Sequence, residues 1–120
     1  MRLLLVLLTL LTASPAWAAS VNLTWTDNAG NELAFEVERK AEACGSAVPG
    51  GAPFVTIATV GLNVVAFTDA VVTGGTTYCY RVRATNAVGP SAYSNLAEVV
   101  VPVPPSVPAA PSGLTAQPGS

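Results

Sequence analysis

Between residues 20 and 101 the chain alternates apolar and polar side chains in short runs separated by turn formers. Val21, Leu23 and Trp25 alternate with Asn22, Thr24 and Thr26. A period of two places the two sets on opposite faces of a strand. The cluster Asp27-Asn28-Ala29-Gly30-Asn31 then turns the chain. Phe35 and Val37 alternate with Glu36 and Glu38, which predicts a second strand with an apolar inner face and an acidic, solvated outer face. Residues 43–53, rich in Gly, Ala and Pro, read as loop. Residues 54–60 form a β-favouring run with apolar side chains on both parities. Gly61-Leu62-Asn63 turns the chain, Val65 and Phe67 lead to Asp69, and Thr73-Gly74-Gly75 turns it again. The clearest strand follows, with Tyr78, Tyr80, Val82 and Ala84 alternating with Cys79, Arg81 and Arg83. After a turn at residues 86–90, a last strand is expected from about Tyr93 to Val101.

This makes six strands, and no run keeps a helical period beyond one turn. Without helices to cover a parallel sheet, the apolar faces must close on each other, which predicts an all-β antiparallel sandwich. The inward positions are Leu23, Trp25, Phe35, Val37, Phe67, Tyr78, Tyr80 and Val82. Their burial, at about 25 cal/mol per Å² of apolar surface, is the main driving force for folding.

The two ends differ from this body. Met1 and Arg2 precede an apolar run over residues 3–11, and Ala16-Trp17-Ala18 matches a small-residue cleavage signal. Residues 1–19 therefore read as a secretory signal peptide, cut after Ala18 or Ala19. The run is about ten residues, short of the ~20 a membrane-spanning helix needs, and the mature chain is expected not to span a membrane. From Pro102 the composition shifts. Six of the 19 residues to Ser120 are proline, which favours an extended linker. Loss of Arg2 with the leader leaves four basic side chains against seven acidic ones, a net charge of −3. That balance argues against nucleic acid, whose phosphates require clustered Lys and Arg. Export would place Cys44 and Cys79 in an oxidising compartment, where an even cysteine count reads as a disulfide.

Several segments, in order, resemble a bacterial secreted fibronectin type III domain. Val-Asn-Leu-Thr-Trp at 21–25 with Thr26-Asp27-Asn28 looks like strand B and the B–C loop, and Phe35-Glu36-Val37-Glu38-Arg39 like strand C. Ile57-Ala58-Thr59-Val60 resembles strand C′. Phe67-Thr68-Asp69 and Gly75-Thr76-Thr77-Tyr78-Cys79-Tyr80-Arg81-Val82-Arg83-Ala84 resemble strands E and F. Gly89-Pro90-Ser91-Ala92-Tyr93-Ser94-Asn95 looks like the F–G turn and the start of strand G. The resemblance covers about 80 residues and implies an immunoglobulin-like β-sandwich over residues 20–101. It places Tyr78 at the tyrosine corner, whose hydroxyl bonds back to nearby backbone. It puts the Cys44–Cys79 bridge on the outside or edge of the C′-C-F-G sheet. It also implies a missing strand A at the N-terminus. Residues 102–120 supply a counterpart, since Gly113-Leu114-Thr115-Ala116 resembles the strand A that opens such a domain. Two readings stand: the tail begins a following repeat, or its strand fills the strand A place, within one chain or by exchange between copies.

No chemistry emerges from the residues. The chain has no histidine, which removes a Ser-His-Asp or Cys-His arrangement and His metal ligands. Asp27, Asn28, Asn31 and Glu32 do not match a calcium-loop spacing and read as turn chemistry. Asn22-Leu23-Thr24 matches a glycosylation sequon. No catalytic residue, cofactor or metal is expected. The leading function is a secreted structural or interaction module, a spacer or unit of an array. The alternative is an accessory polysaccharide-binding module, for which Tyr93 and Phe54 are the aromatic platforms left after the core takes its share.

Overall fold

The computed structural model describes residues 19–46 and 50–119. The leader expected over residues 1–19 lies, apart from Ala19, outside them. Six strands form: β1 (Val21–Thr24), β2 (Ala34–Lys40), β3 (Val55–Gly61), β4 (Ala66–Asp69), β5 (Thr77–Thr85) and β6 (Ala97–Val100). They make two antiparallel sheets, β1-β4 and β3-β2-β5-β6. This is the predicted all-β sandwich. Among the described residues β1 pairs with β4 alone, so no strand A lies on its other edge.

Two clusters of buried side chains form the core. Val21, Tyr78, Tyr80 and Val101 pack at one end, and Phe35, Val37 and Val82 at the other. Leu23 and Ile57 touch both. Leu23, Trp25 and Phe67, expected fully inside, are only half-buried against these clusters. The reason is width: the two-stranded β1-β4 sheet covers a four-stranded one and leaves its own inner side chains open laterally.

Two local departures from the simple pattern have clear causes. The β2–β3 register shifts between Val37 and Glu38, so Val37 pairs with Ala58 while Glu38 pairs with Thr56. Ile57 is the extra residue, a β-bulge that re-aims a side chain. It joins Ala58 and Val60 against the core, which accounts for the apolar residues of both parities. The second departure is the last strand, which begins at Ala97 rather than near Tyr93. Over residues 91–96 serine side chains take over the pairing with β5. The Ala84 N–H donates to Ser91 Oγ at 2.9 Å and the Val82 N–H to Ser94 Oγ at 3.0 Å. The serine amides donate back to the Ala84 and Val82 carbonyls, each at 2.7 Å.

The chain leaves β6 against the β4–β5 turn. The Val101 amide donates to the Thr76 carbonyl at 3.0 Å, and the Gly75 amide to the Val101 carbonyl at 2.7 Å. A Cβ on Gly74 would lie 2.8 Å from the Pro102 carbonyl oxygen, so a glycine is needed for this close approach. Residues 102–119 form no strand and are exposed throughout.

Candidate functional site

The outer face of the four-stranded sheet carries Glu36, Glu38, Arg81 and Arg83 in register. Glu36 pairs directly with Arg83 across β2–β5, and Glu38 with Arg81. Opposite charges facing across a strand pair attract at close range. Arg81 Nε donates to Glu38 Oε1 at 2.7 Å, Arg83 Nε donates to Glu36 Oε1 at 2.7 Å, and Tyr93 Oη donates to Glu38 Oε2 at 2.9 Å. The acidic, solvated face expected from the sequence is therefore corrected: Glu38 is only 6% exposed and neutralised from β5. Burial alone would raise the Glu38 carboxyl. The hydrogen bonds from Arg81 and Tyr93 and the charges of Arg81 and Arg83 outweigh it and hold the carboxyl below its ordinary value.

The two spare aromatics flank the same arginine. The Arg81 guanidinium carbon lies 3.9 Å from the Phe54 ring centre and 3.7 Å from that of Tyr93. Lys40 Nζ sits 5.3 Å from the Phe54 ring, and the Arg83 guanidinium 4.8 Å from the Tyr93 ring. These are cation–π distances, so both rings are already engaged by cations of the same sheet. Replacing Arg81 with alanine should lower the unfolding free energy by about 2 kcal/mol, because Glu38 stays buried with less compensation and both rings lose their packing. Arg81→Lys should recover only part of this, since lysine lacks the flat guanidinium. Urea unfolding of the two variants checks the order.

Cys79 lies on this outer face and is bridged to Cys44, with Sγ–Sγ 2.08 Å and Cα–Cα 5.0 Å. The bridge and the chain after β2 cover it completely. Lys40 Nζ donates to the Cys44 and Ser46 carbonyls at 3.4 Å, and the Cys44 amide donates to Glu98 Oε1 at 2.7 Å. Such a bridge is compatible with an oxidising, extracellular location.

Between the sheets lies a polar network that the sequence pattern did not single out. Asp69, 3% exposed, accepts from Tyr80 Oη at 2.7 Å, from Arg39 Nη1 at 2.8 Å and from the Val71 amide at 3.1 Å. Burial pushes this carboxyl up, but the bonds from Tyr80, Arg39 and Val71 prevail and bring it below the usual range. The Tyr80 hydroxyl is raised by burial and by its bond to Asp69. Tyr78 Oη accepts the Thr73 amide at 3.0 Å, five residues upstream.

A concave feature runs between β1 and the segment before β6. Two adjoining hollows of about 370 and 530 Å³ share Trp25, Val82 and Ser94, and Leu23, Tyr80 and Ala97 extend the lining. Trp25 Nε1 is buried there without a hydrogen-bond partner. At the loop end, Asp27 Oδ1 caps the Ala29 amide at 3.0 Å, a turn bond of the expected kind. Glu32 instead turns inward to 3% exposure, with one oxygen accepting from the Asn63 amide at 3.4 Å and the other unpartnered. No group of three or more His, Cys, Asp or Glu suited to a metal occurs among the described residues. No helix there is long and apolar enough to cross a membrane.

No protein-family model matches the chain, and the curated proteins include no match to it. Among solved structures it is similar to the twitchin kinase region from C. elegans (Fn31-NL-kin-CRD-Ig26), with a TM-score of 0.55 at 21% identity. The match covers 71% of this chain and 14% of that one. The fold is an immunoglobulin-like β-sandwich. At that identity the likeness concerns the fold. In this sandwich, Phe35, Val37, Tyr78, Tyr80 and Val82 are buried, whereas Gly113, Leu114, Thr115 and Ala116 pair with nothing and are exposed.

Proposed function

We propose that the chain is a non-catalytic structural or interaction module of an exported protein, of the bacterial fibronectin type III kind, acting as a spacer or as one unit of an extracellular array. The observation that carries this reading is the occupied outer face. The polar and aromatic side chains able to engage a small ligand are bound to one another, with Arg81 between Phe54 and Tyr93 and Glu38 beneath it. The absence of histidine from the sequence, the disulfide and the leader-like N-terminus support it.

The test is expression of the full chain with its own leader in a secreting bacterium, followed by retention assays on insoluble cellulose, chitin and xylan. The exported species should begin at Ala19 or Ser20, carry the disulfide, and wash off all three polymers. Retention on one of them would make the chain an accessory polysaccharide-binding module instead. An uncut chain held in the cytoplasm would overturn the extracellular reading.

A further inference from the structure

We infer that the open edge of β1 receives a strand from a second copy of this chain, residues Leu114–Gln117, laid antiparallel to Val21–Thr24. This deepens the reading above by naming a partner for the module.

The receiving surface is built on three observations. β1 is bonded to β4 on one side only among the described residues. Every second N–H and C=O of such a strand points away from its partner, which makes an open edge a template for another chain. Beside that edge lie the two hollows, lined by Leu23, Trp25, Tyr80, Val82 and Ala97, of which Leu23 and Trp25 are left only half covered by the narrow β1-β4 sheet. Trp25, which lines both hollows, holds its indole N–H buried without an acceptor, a polar group that native packing normally satisfies.

The donor is on the same chain. Residues 102–120 carry no charged side chain, so laying them along the hollows buries no charge. Gly113 has a φ of 72°, which turns the chain, and the residues after it alternate. Leu114 and Ala116 share one face, with Thr115 on the other. Leu114 is 96% exposed, a large apolar side chain on a tail without charge.

Geometry selects a second copy over the chain's own tail. Every strand pair in the fold is antiparallel, so an added strand runs from the Trp25 end of β1 to the Val21 end. The tail, however, leaves at the Val21 end, where Val101 packs with Val21 and is held to the β4–β5 turn. To start at Trp25, residues 102–112 would have to climb the sandwich and reverse. Five of those eleven are proline, which stiffens the segment to about 3.1 Å per residue and opposes the reversal. A tail arriving from another molecule meets no such constraint.

The experiment is sedimentation equilibrium of the exported chain, residues 20–120, across a wide concentration range, beside Leu114→Asp and Thr115→Pro. Both substitutions lie outside the folded core, so all three proteins should melt cooperatively. The unaltered chain should associate, and Leu114→Asp should weaken association at least ~10-fold, the order expected for removing one buried leucine. Adding the peptide Ser112–Gln117 to the Leu114→Asp chain should shift the Trp25 indole N–H resonance. An unaltered chain that stays monomeric at every concentration would overturn strand exchange while leaving the spacer reading intact. So would variants that assemble as strongly as the unaltered chain.

Discussion

Replacing Asp69 with alanine should lower the unfolding free energy by about 3 kcal/mol. The change removes the shared acceptor of an inter-sheet network and leaves its donors behind. Arg39 keeps the Val71 carbonyl at 2.9 Å, and its side chain is 22% exposed, so water offsets part of the loss. The Tyr80 hydroxyl has no such relief, since the residue is 2% exposed. For a domain of this size the melting temperature should fall by roughly 10–20 °C. Tyr80→Phe removes one donor and leaves the ion pair, so it should cost only about 1–2 kcal/mol. The same network sets the response to acid. Asp69 and Glu38 are held below their ordinary values in the folded state. Their contribution is complete above the unfolded carboxyl values near pH 4 and is lost as the pH falls through the lower folded values. Asp69→Asn should flatten the stability profile below about pH 4. Equal acid limbs for this variant and the unaltered chain would remove Asp69 from the network's energetics.

Breaking the Cys44–Cys79 bridge should cost roughly 3–4 kcal/mol, the chain-entropy value for a closed loop of 35 residues. Reduction, or the double change Cys44→Ser with Cys79→Ser, should lower the melting temperature by about 15–25 °C. The effect is large because the core is small. The bridge also anchors the segment that leads to Phe54 over Arg81, alongside the Cys44 amide bond to Glu98 and the long Lys40 contacts. Thermal melts with and without reductant decide the matter. Overlapping curves would mean that the chain is equally constrained when reduced.

Strand parity made most of the fold legible. Alternation at 21–25, 35–38 and 78–84 located β1, β2 and β5 and told inner from outer side chains, including Cys79 on the outside. Parity gives the face but not the register, and the site depends on register. That Glu38 would meet Arg81, with Phe54 and Tyr93 on either side, required the β2–β5 pairing and the β-bulge at Ile57. Glu32, read from the sequence as turn chemistry, turns its carboxylate in, while the neighbouring Leu33 remains 62% exposed. The main-chain bond from the Leu33 amide to the Thr85 carbonyl at 2.8 Å fixes this arrangement, and nothing in hydropathy announces it. The β6 start was misplaced for a related reason. Residues 91–96 lie alongside β5 as a strand would, but side-chain hydroxyls carry half of the bonding.

Those hydroxyls also decide which border of the molecule is reactive. Each passes its own proton forward, Ser91 to the Ala92 carbonyl and Ser94 to the Asn95 carbonyl, both at 2.8 Å. Two acceptors of this stretch are thereby already engaged, and a foreign strand finds fewer to bind. A sheet margin of this kind resists the edge-to-edge adhesion that leads to aggregates. The stretch from Ser91 to Leu96 is thus quenched from within, in contrast to β1, whose free edge keeps its main-chain groups.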